Sequence, residues 1–273
     1  MLKVIPFLKE KGLIFLHKSL RNRIWPLIIA FLILIIGGQP VLAATTVTGS
    51  SASTLTITLN PGTKYATAMY VIDSGKPGPV VLITGGVHGN ETAGYLAAAR
   101  MKETTISKGK LLVIPKANRL AVDRGTRYIS GEKDLNRAFP TKKGVNPSYK
   151  PAQAIYQVVK NYKVDWVMDM HEGYDYASGS TSSVGQSLIY YPSDKCTVMA
   201  KKILSKVNAT ISSSYRKFDS LRYPVSGSLA RSTAQYLGTN SFIFETCSKD
   251  TLNTRINNQL LAANTLLREL YMK

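Results

Sequence analysis

The sequence predicts an α/β protein, with helices packed on a largely buried central sheet. Three observations carry that expectation. Short runs rich in Val, Ile and Leu recur along the chain, and between them lie stretches whose apolar residues return at three- and four-residue intervals. No repeat or long low-complexity tract interrupts this alternation, and 273 residues with 44% apolar content suffice for one domain with a substantial core. Strands alternating with helices pack as layered α/β sheets, whose sites gather beyond the strand ends.

In chain order, strands are expected first at Leu55–Leu59, where Leu and Ile alternate with Thr, and at Ala66–Ile72. Val80–Thr84 is a continuous run closed by Gly85-Gly86, the pattern of a buried strand ending in a turn. A helix is expected over Glu91–Glu103 and a strand over Lys110–Ile114, followed by a helix over Pro151–Asn161. Trp166–Met170 is apolar apart from Asp169 and reads as a second buried strand. Ser187–Tyr191 is a further strand, and Asp194–Val207 and Leu229–Leu237 have helical spacing. Ser241–Glu245 is an apolar strand ended by an acid, and Thr251–Met272 is the last helix.

The start of the chain reads differently. Lys3, Lys9, Lys11, Lys18, Arg21 and Arg23 precede the apolar run Ile24–Ile36, Gly37-Gly38-Gln39-Pro40 breaks it, and Val41-Leu42-Ala43 offers small residues for cleavage. Residues 1–43 are therefore expected to be a secretory signal, with residues 44–55 a Thr/Ser/Ala-rich leader and residues 56–273 the main folded domain. The apolar run is shorter than the roughly 20 residues of a spanning helix, so no stable membrane span is expected after cleavage; an uncleaved anchor is the alternative. Without residues 1–43, which hold six basic residues and Glu10, 29 basic residues face 15 acidic ones, a charge of +14. Such a field suits anionic partners such as cell-wall polymers. Nucleic acid is excluded as a partner, because the cations are scattered and no nucleic-acid-binding signature occurs. Cys196 and Cys247 are the only cysteines and permit one disulfide.

Two histidines remain after residue 43, and each ends an apolar run. His88 lies in Gly85-Gly86-Val87-His88-Gly89-Asn90-Glu91, where glycines on both sides let the backbone turn so that His88 and Glu91 converge. His171 follows Val164–Met170, so two strand ends present imidazoles at one edge of the sheet. Two imidazoles and a carboxylate leave a tetrahedral Zn2+ one open position for water, the arrangement of a catalytic site. In Asp134-Leu135-Asn136-Arg137, Asn136 and Arg137 are suited to grip a substrate carboxylate, and Asp134 to orient the His88 ring. Glu245, the acid ending an apolar strand, is suited to move a proton to and from the reacting groups.

Taken together, Gly-Gly-Val-His88-Gly-Asn-Glu91, Thr126-Arg127-Tyr128, Asp134-Leu-Asn136-Arg137, Asp169-Met-His171 and Phe-Ile-Phe-Glu245 resemble the zinc metallocarboxypeptidase superfamily, within it the succinylglutamate desuccinylase/aspartoacylase branch, from about Lys64 to Tyr271. The resemblance implies a zinc-carboxypeptidase-like single domain with a mixed central sheet flanked by helices. It implies one Zn2+ held by His88, Glu91 and His171, with Glu245 as general base and acid and Arg127 steadying the oxyanion. Asn136 and Arg137 would hold the substrate carboxylate, and Tyr223, ahead of Gly227-Ser228, would close over the substrate.

Typical members of that branch carry a further β-rich region beyond the catalytic Glu. This chain ends 28 residues after Glu245, so a more open cleft is expected. With the export signal, this favours a peptide or cell-wall stem peptide as substrate. A small N-acyl amino acid, or an inactive exported protein binding anionic wall polymer, are the competing expectations.

Overall fold

The computed structural model describes residues 52–176 and 183–273. The expected signal segment and residues 44–51 of the expected leader lie outside these residues. β1 opens at Ser53, so its first three residues fall inside the stretch expected to be leader. The described residues fall within one compact unit. Among them, no helix is long and apolar enough to cross a membrane.

Eight strands form one mixed sheet: β1 (Ser53–Leu59), β2 (Thr67–Asp73), β3 (Val80–Gly85), β4 (Lys110–Ile114), β5 (Trp166–Gly173), β6 (Ser187–Tyr190), β7 (Asp219–Arg222) and β8 (Asn240–Cys247). Their spatial order is β1-β2-β4-β3-β5-β8-β6-β7. The centre is parallel: β3 pairs with β4 and β5, and β5 with β8. Antiparallel pairs lie outward, β1 with β2, β2 with β4, and β6 with β8. Burial follows position, since β3 is buried almost throughout whereas edge strand β1 is exposed over most of its length.

Helices cover both faces, and strand alternation shows which residues meet which helices. Val81, Ile83, Met168, Met170, Phe242 and Phe244 point to a face covered by α1 (Thr92–Met101), α4 (Asp194–Asn208) and α6 (Leu252–Glu269). Leu82 and Val167 point the other way, onto α3 (Lys150–Asn161), with Leu229 of α5 (Leu229–Leu237) and with Leu135 and Phe139.

One α-helix and one strand were not expected from the sequence. α2 (Arg119–Arg124) has only six residues, and its signals are its ends: Asn118 Oδ1 accepts from Ala121 N at 3.4 Å, and Gly125 closes it in a left-handed conformation. β7 is four mostly exposed residues at the sheet edge, with no apolar run to betray it.

The disulfide that the composition permits is not formed, and both cysteines are buried free thiols. Cys196 Sγ lies 3.6 Å from Asn240 Oδ1, at the first residue of β8, whereas Cys247 is the last. At strand rise the two ends of β8 are roughly 23 Å apart, far beyond disulfide reach.

Candidate active site

The parallel strands β3, β5 and β8 deliver the chemistry at their C-terminal ends. His171 and Glu245 sit directly opposite each other in the β5–β8 register. Both share the strand parity that turns away from α1, α4 and α6. His88 and Glu91 lie in the turn between β3 and α1, which closes tightly against α2. A Cβ on Gly89 would stand 2.0 Å from the carbonyl carbon of Ala121, so only glycine permits this approach.

Glu91 bridges the two imidazoles. Its Oε1 lies 2.6 Å from His88 Nδ1 and its Oε2 lies 2.8 Å from His171 Nδ1. The far ring nitrogens face carboxylates as well. His88 Nε2 is 3.1 Å from Asp134 Oδ1, and His171 Nε2 is 3.0 Å from Asp169 Oδ2, the latter a charge contact without hydrogen-bond alignment. Asp169 is fully buried and is held by Thr84 Oγ1, which donates to its Oδ1 at 2.6 Å. A carboxylate beside each Nε2, hydrogen-bonded at His88 and acting through charge at His171, favours keeping the ring proton there and so leaves Nδ1 as the atom that would face a metal ion.

The electrostatics favour positive charge at this point. Burial would raise Glu91, yet His171 and His88 pull it down to about 2. Burial would lower His171, yet Asp169 and Glu91 hold it well above the usual range, and Asp134 with Glu91 raises His88 against its own burial. Asp134, raised by burial, is carried far below its normal value by His88, the Asn136 amide and Arg127. Three carboxylates thus stabilise positive charge on two imidazoles, and a divalent ion held by His88, Glu91 and His171 supplies that charge without the protons. The three residues are buried, with donor atoms within 4.8 Å of one another, and their nitrogen and oxygen donors fit Zn2+.

A cleft of about 720 Å3 opens over this centre, lined by seven of the eight residues expected to form the site: His88, Glu91, Arg127, Asn136, Arg137, Tyr223 and Glu245. The eighth, His171, is only 1% exposed and lies behind Glu91. Burial pushes the Glu245 carboxyl up, His171 opposes it, and the balance leaves it at about 7. Arg127 reaches across the rim, Nη1 at 3.7 Å from Glu91 Oε1 and Nη2 at 3.5 Å from Asp134 Oδ2.

Asn136 and Arg137 lie on a single 3-10 turn, Leu135–Arg137, capped by Asp134, whose Oδ1 accepts from Asn136 N at 2.8 Å. Asn136 Oδ1 is buried with no partner among the described residues, and Arg137 Nη1 donates to Asn136 O at 2.9 Å. The loop carrying Tyr223 locks onto this turn: Phe139 N donates to Gly227 O at 3.0 Å, and a Cβ on Gly227 would lie 2.8 Å from Arg137 O. Tyr223 is 58% exposed, adopts φ +62° and meets Tyr191 edge-on at 5.8 Å.

Sequence reasoning missed several contributors. Asp169 was visible as the one acid within Trp166–Met170 and received no role. Gln259 of α6 is fully buried, and its Nε2 donates to His171 O at 2.8 Å and Phe244 O at 3.2 Å, tying together the strand ends that carry His171 and Glu245. Glu172 and Arg255 line the cleft and had no signal beyond ordinary charge.

Known proteins extend this picture. Over 126 residues the chain is 32% identical to an N-acyl-aromatic-L-amino acid amidohydrolase (carboxylate-forming) of Xenopus laevis; the match covers 42% of this chain and 38% of that protein. In fold it is similar to the tripeptide-bound cell shape determinant protein Csd4 of Helicobacter pylori, with a TM-score of 0.65 at 18% identity over 81% of this chain and 56% of that one. It is also similar to the succinylglutamate desuccinylase/aspartoacylase of Rhodobacter sphaeroides, with a TM-score of 0.58 at 17% identity over 81% of this chain and 65% of that one. The model of the succinylglutamate desuccinylase/aspartoacylase catalytic domain matches residues 77–264, which include every candidate site residue, and the chain belongs to this family of zinc-dependent hydrolases.

Proposed function

We propose that this protein is an exported zinc hydrolase that cleaves an amide bond near a free carboxylate, with a peptide or cell-wall stem peptide as substrate. The observation that carries the reading is the meeting, in one cleft, of the His88–Glu91–His171 cluster, Glu245 and the Asn136–Arg137 turn. The basic charge of the chain and the fold likeness to Csd4, solved with a bound tripeptide, support a peptide substrate. The basic, apolar start of the sequence supports export.

Zinc, when bound, supplies an acidified water and a Lewis acid for the carbonyl. Glu245 takes the water's proton and later gives it to the leaving nitrogen, a role suited to a carboxyl poised near neutrality. Arg127 aims its charge at the developing oxyanion, where a preorganised donor is typically worth about 3–4 kcal/mol. Asn136 and Arg137 hold the carboxylate on the leaving side, which the guanidinium fork can do in two-point fashion. Tyr223 stands at the rim as the residue that closes over the substrate.

A second reading, deacylation of a small N-acyl amino acid, is favoured by the N-acyl-aromatic-L-amino acid amidohydrolase likeness. Incubation of the purified protein with stem-peptide muropeptides and with N-acyl amino acids, with and without a chelator, separates the two. Chelator-sensitive release of an amino acid from the muropeptides is expected; cleavage of N-acyl amino acids alone would favour the second reading. For export, N-terminal sequencing of protein from its native host should give a start near Ala44, and an intact Met1 in the membrane fraction would refute cleavage.

A further inference from the structure

One charged pair in the cleft has no part in this chemistry. Arg255, in the first turn of α6, hydrogen-bonds Glu172 Oε1 through Nη1, and both residues line the cleft. Glu172 is nearly closed off, its side chain 3% exposed against 16% for Arg255, and it also accepts from Ala93 N at 3.3 Å. Among the described residues this is the only hydrogen bond the guanidinium makes, and Arg255 Nε is buried with no partner. A guanidinium carries five N–H donors, so most of its capacity is free for a ligand in the cleft, and Nε is an unmet buried donor of the costly kind.

Position gives the pair a direction. His171 and Glu245 turn toward one sheet face, and the Asn136–Arg137 turn, packed through Leu135 and Phe139, stands on that side. Glu172 has the opposite strand parity and meets Ala93 of α1 and Arg255 of α6. The two arginines therefore enter the cleft from opposite faces of the sheet, in a cleft that Glu91 and Glu245 also line. A substrate whose leaving side is held by Arg137 and whose amide lies over the centre presents its acyl side to Arg255.

We propose that Arg255 is a second anion anchor, taking a carboxylate carried on the acyl side of the scissile amide. The ligand class is a dicarboxylic acyl group or an acidic residue preceding the bond. The inference rests on the reading of the cleft as an amide hydrolase site. Glu172 orients the guanidinium and competes with the incoming carboxylate for it.

The test uses two substrates that differ only in an acyl-side carboxylate or carboxamide, cleaved by zinc-loaded wild type, Arg255→Gln and Glu172→Gln, with the kcat/KM ratio as readout. Wild type is expected to favour the acid by about 10-fold or more, the discrimination that a charge-assisted hydrogen bond brings. Arg255→Gln should bring the ratio to about 1, and Glu172→Gln should keep or raise it. A purely structural ion pair would leave the ratio unchanged in both variants. Thermal melts and zinc content report on folding; if Arg255→Gln fails to fold, Arg255→Lys, which keeps charge but loses the fork, should give an intermediate ratio. A wild-type ratio near 1, or a full ratio in a folded Arg255 variant, overturns the anchor and leaves the hydrolase reading standing. If zinc-loaded wild type cleaves neither substrate, the hydrolase reading falls and the anchor with it.

Discussion

The centre of the site and the walls of its cleft are built in opposite ways. His88, Glu91, His171 and Glu245 are all less than a tenth exposed and stand at the ends of three adjacent parallel strands, where register, a glycine contact and Gln259 fix them. Arg127, Arg137 and Tyr223 are exposed and lie on turns and loops. The contrast separates what the fold guarantees from what it leaves adjustable. On the proposed mechanism, bond breaking rests on the rigid part, while choice of substrate rests on side chains that can change without disturbing the sheet.

The largest effects should follow from breaking the rigid half. His88→Ala and His171→Ala each remove a nitrogen ligand, so both should lose zinc on dialysis and with it nearly all activity; full zinc occupancy in either, by metal analysis, would refute the ligand set. Asp169→Asn leaves the ligands in place but weakens the hold on His171, and should lower zinc affinity by about 10–100-fold, the range typical of such supporting carboxylates. Titration against a competing chelator reads this directly. An unchanged affinity would mean that the Asp169 contact does not orient the ring.

Smaller effects belong to the walls. Arg137→Ala should act mainly through KM, and its penalty should shrink for substrates with no free carboxylate beside the scissile amide, because those never used the grip. A fall in kcat at constant KM would instead move Arg137 into the rigid half.

The same contrast explains what the sequence disclosed. The centre was legible because its residues break patterns: His88 among glycines, His171 and Glu245 at the ends of runs otherwise fit for burial. Most strands and helices were legible from the apolar patterns themselves, with ends differing by a residue or a few. β7 escaped because a short, exposed edge strand carries no apolar period, and α2 because six residues are too few for one. Arg255 escaped because a lone arginine on a helix looks like a solvated surface residue until the fold brings Glu172 beside it. Asp169 was seen, but its task depends on which way the neighbouring ring turns, and that is a property of the assembled sheet.

The central claim is that Glu245 moves the proton at a centre that His88, Glu91 and His171 hold, and one comparison tests it most directly. Glu245→Gln keeps the shape of the side chain but cannot accept a proton. Burial raises the Glu245 carboxyl to about 7, and a base must be ionised to act, so wild-type kcat/KM should climb with pH through an acid limb at or below 7, the bound cation drawing it downward. With zinc content matched, Glu245→Gln should lower kcat by at least about 10²-fold, leave KM little changed and abolish that limb. A variant that hydrolyses the preferred substrate at the wild-type rate, with the acid limb intact, would contradict the account and favour an exported binding protein that has kept this fold.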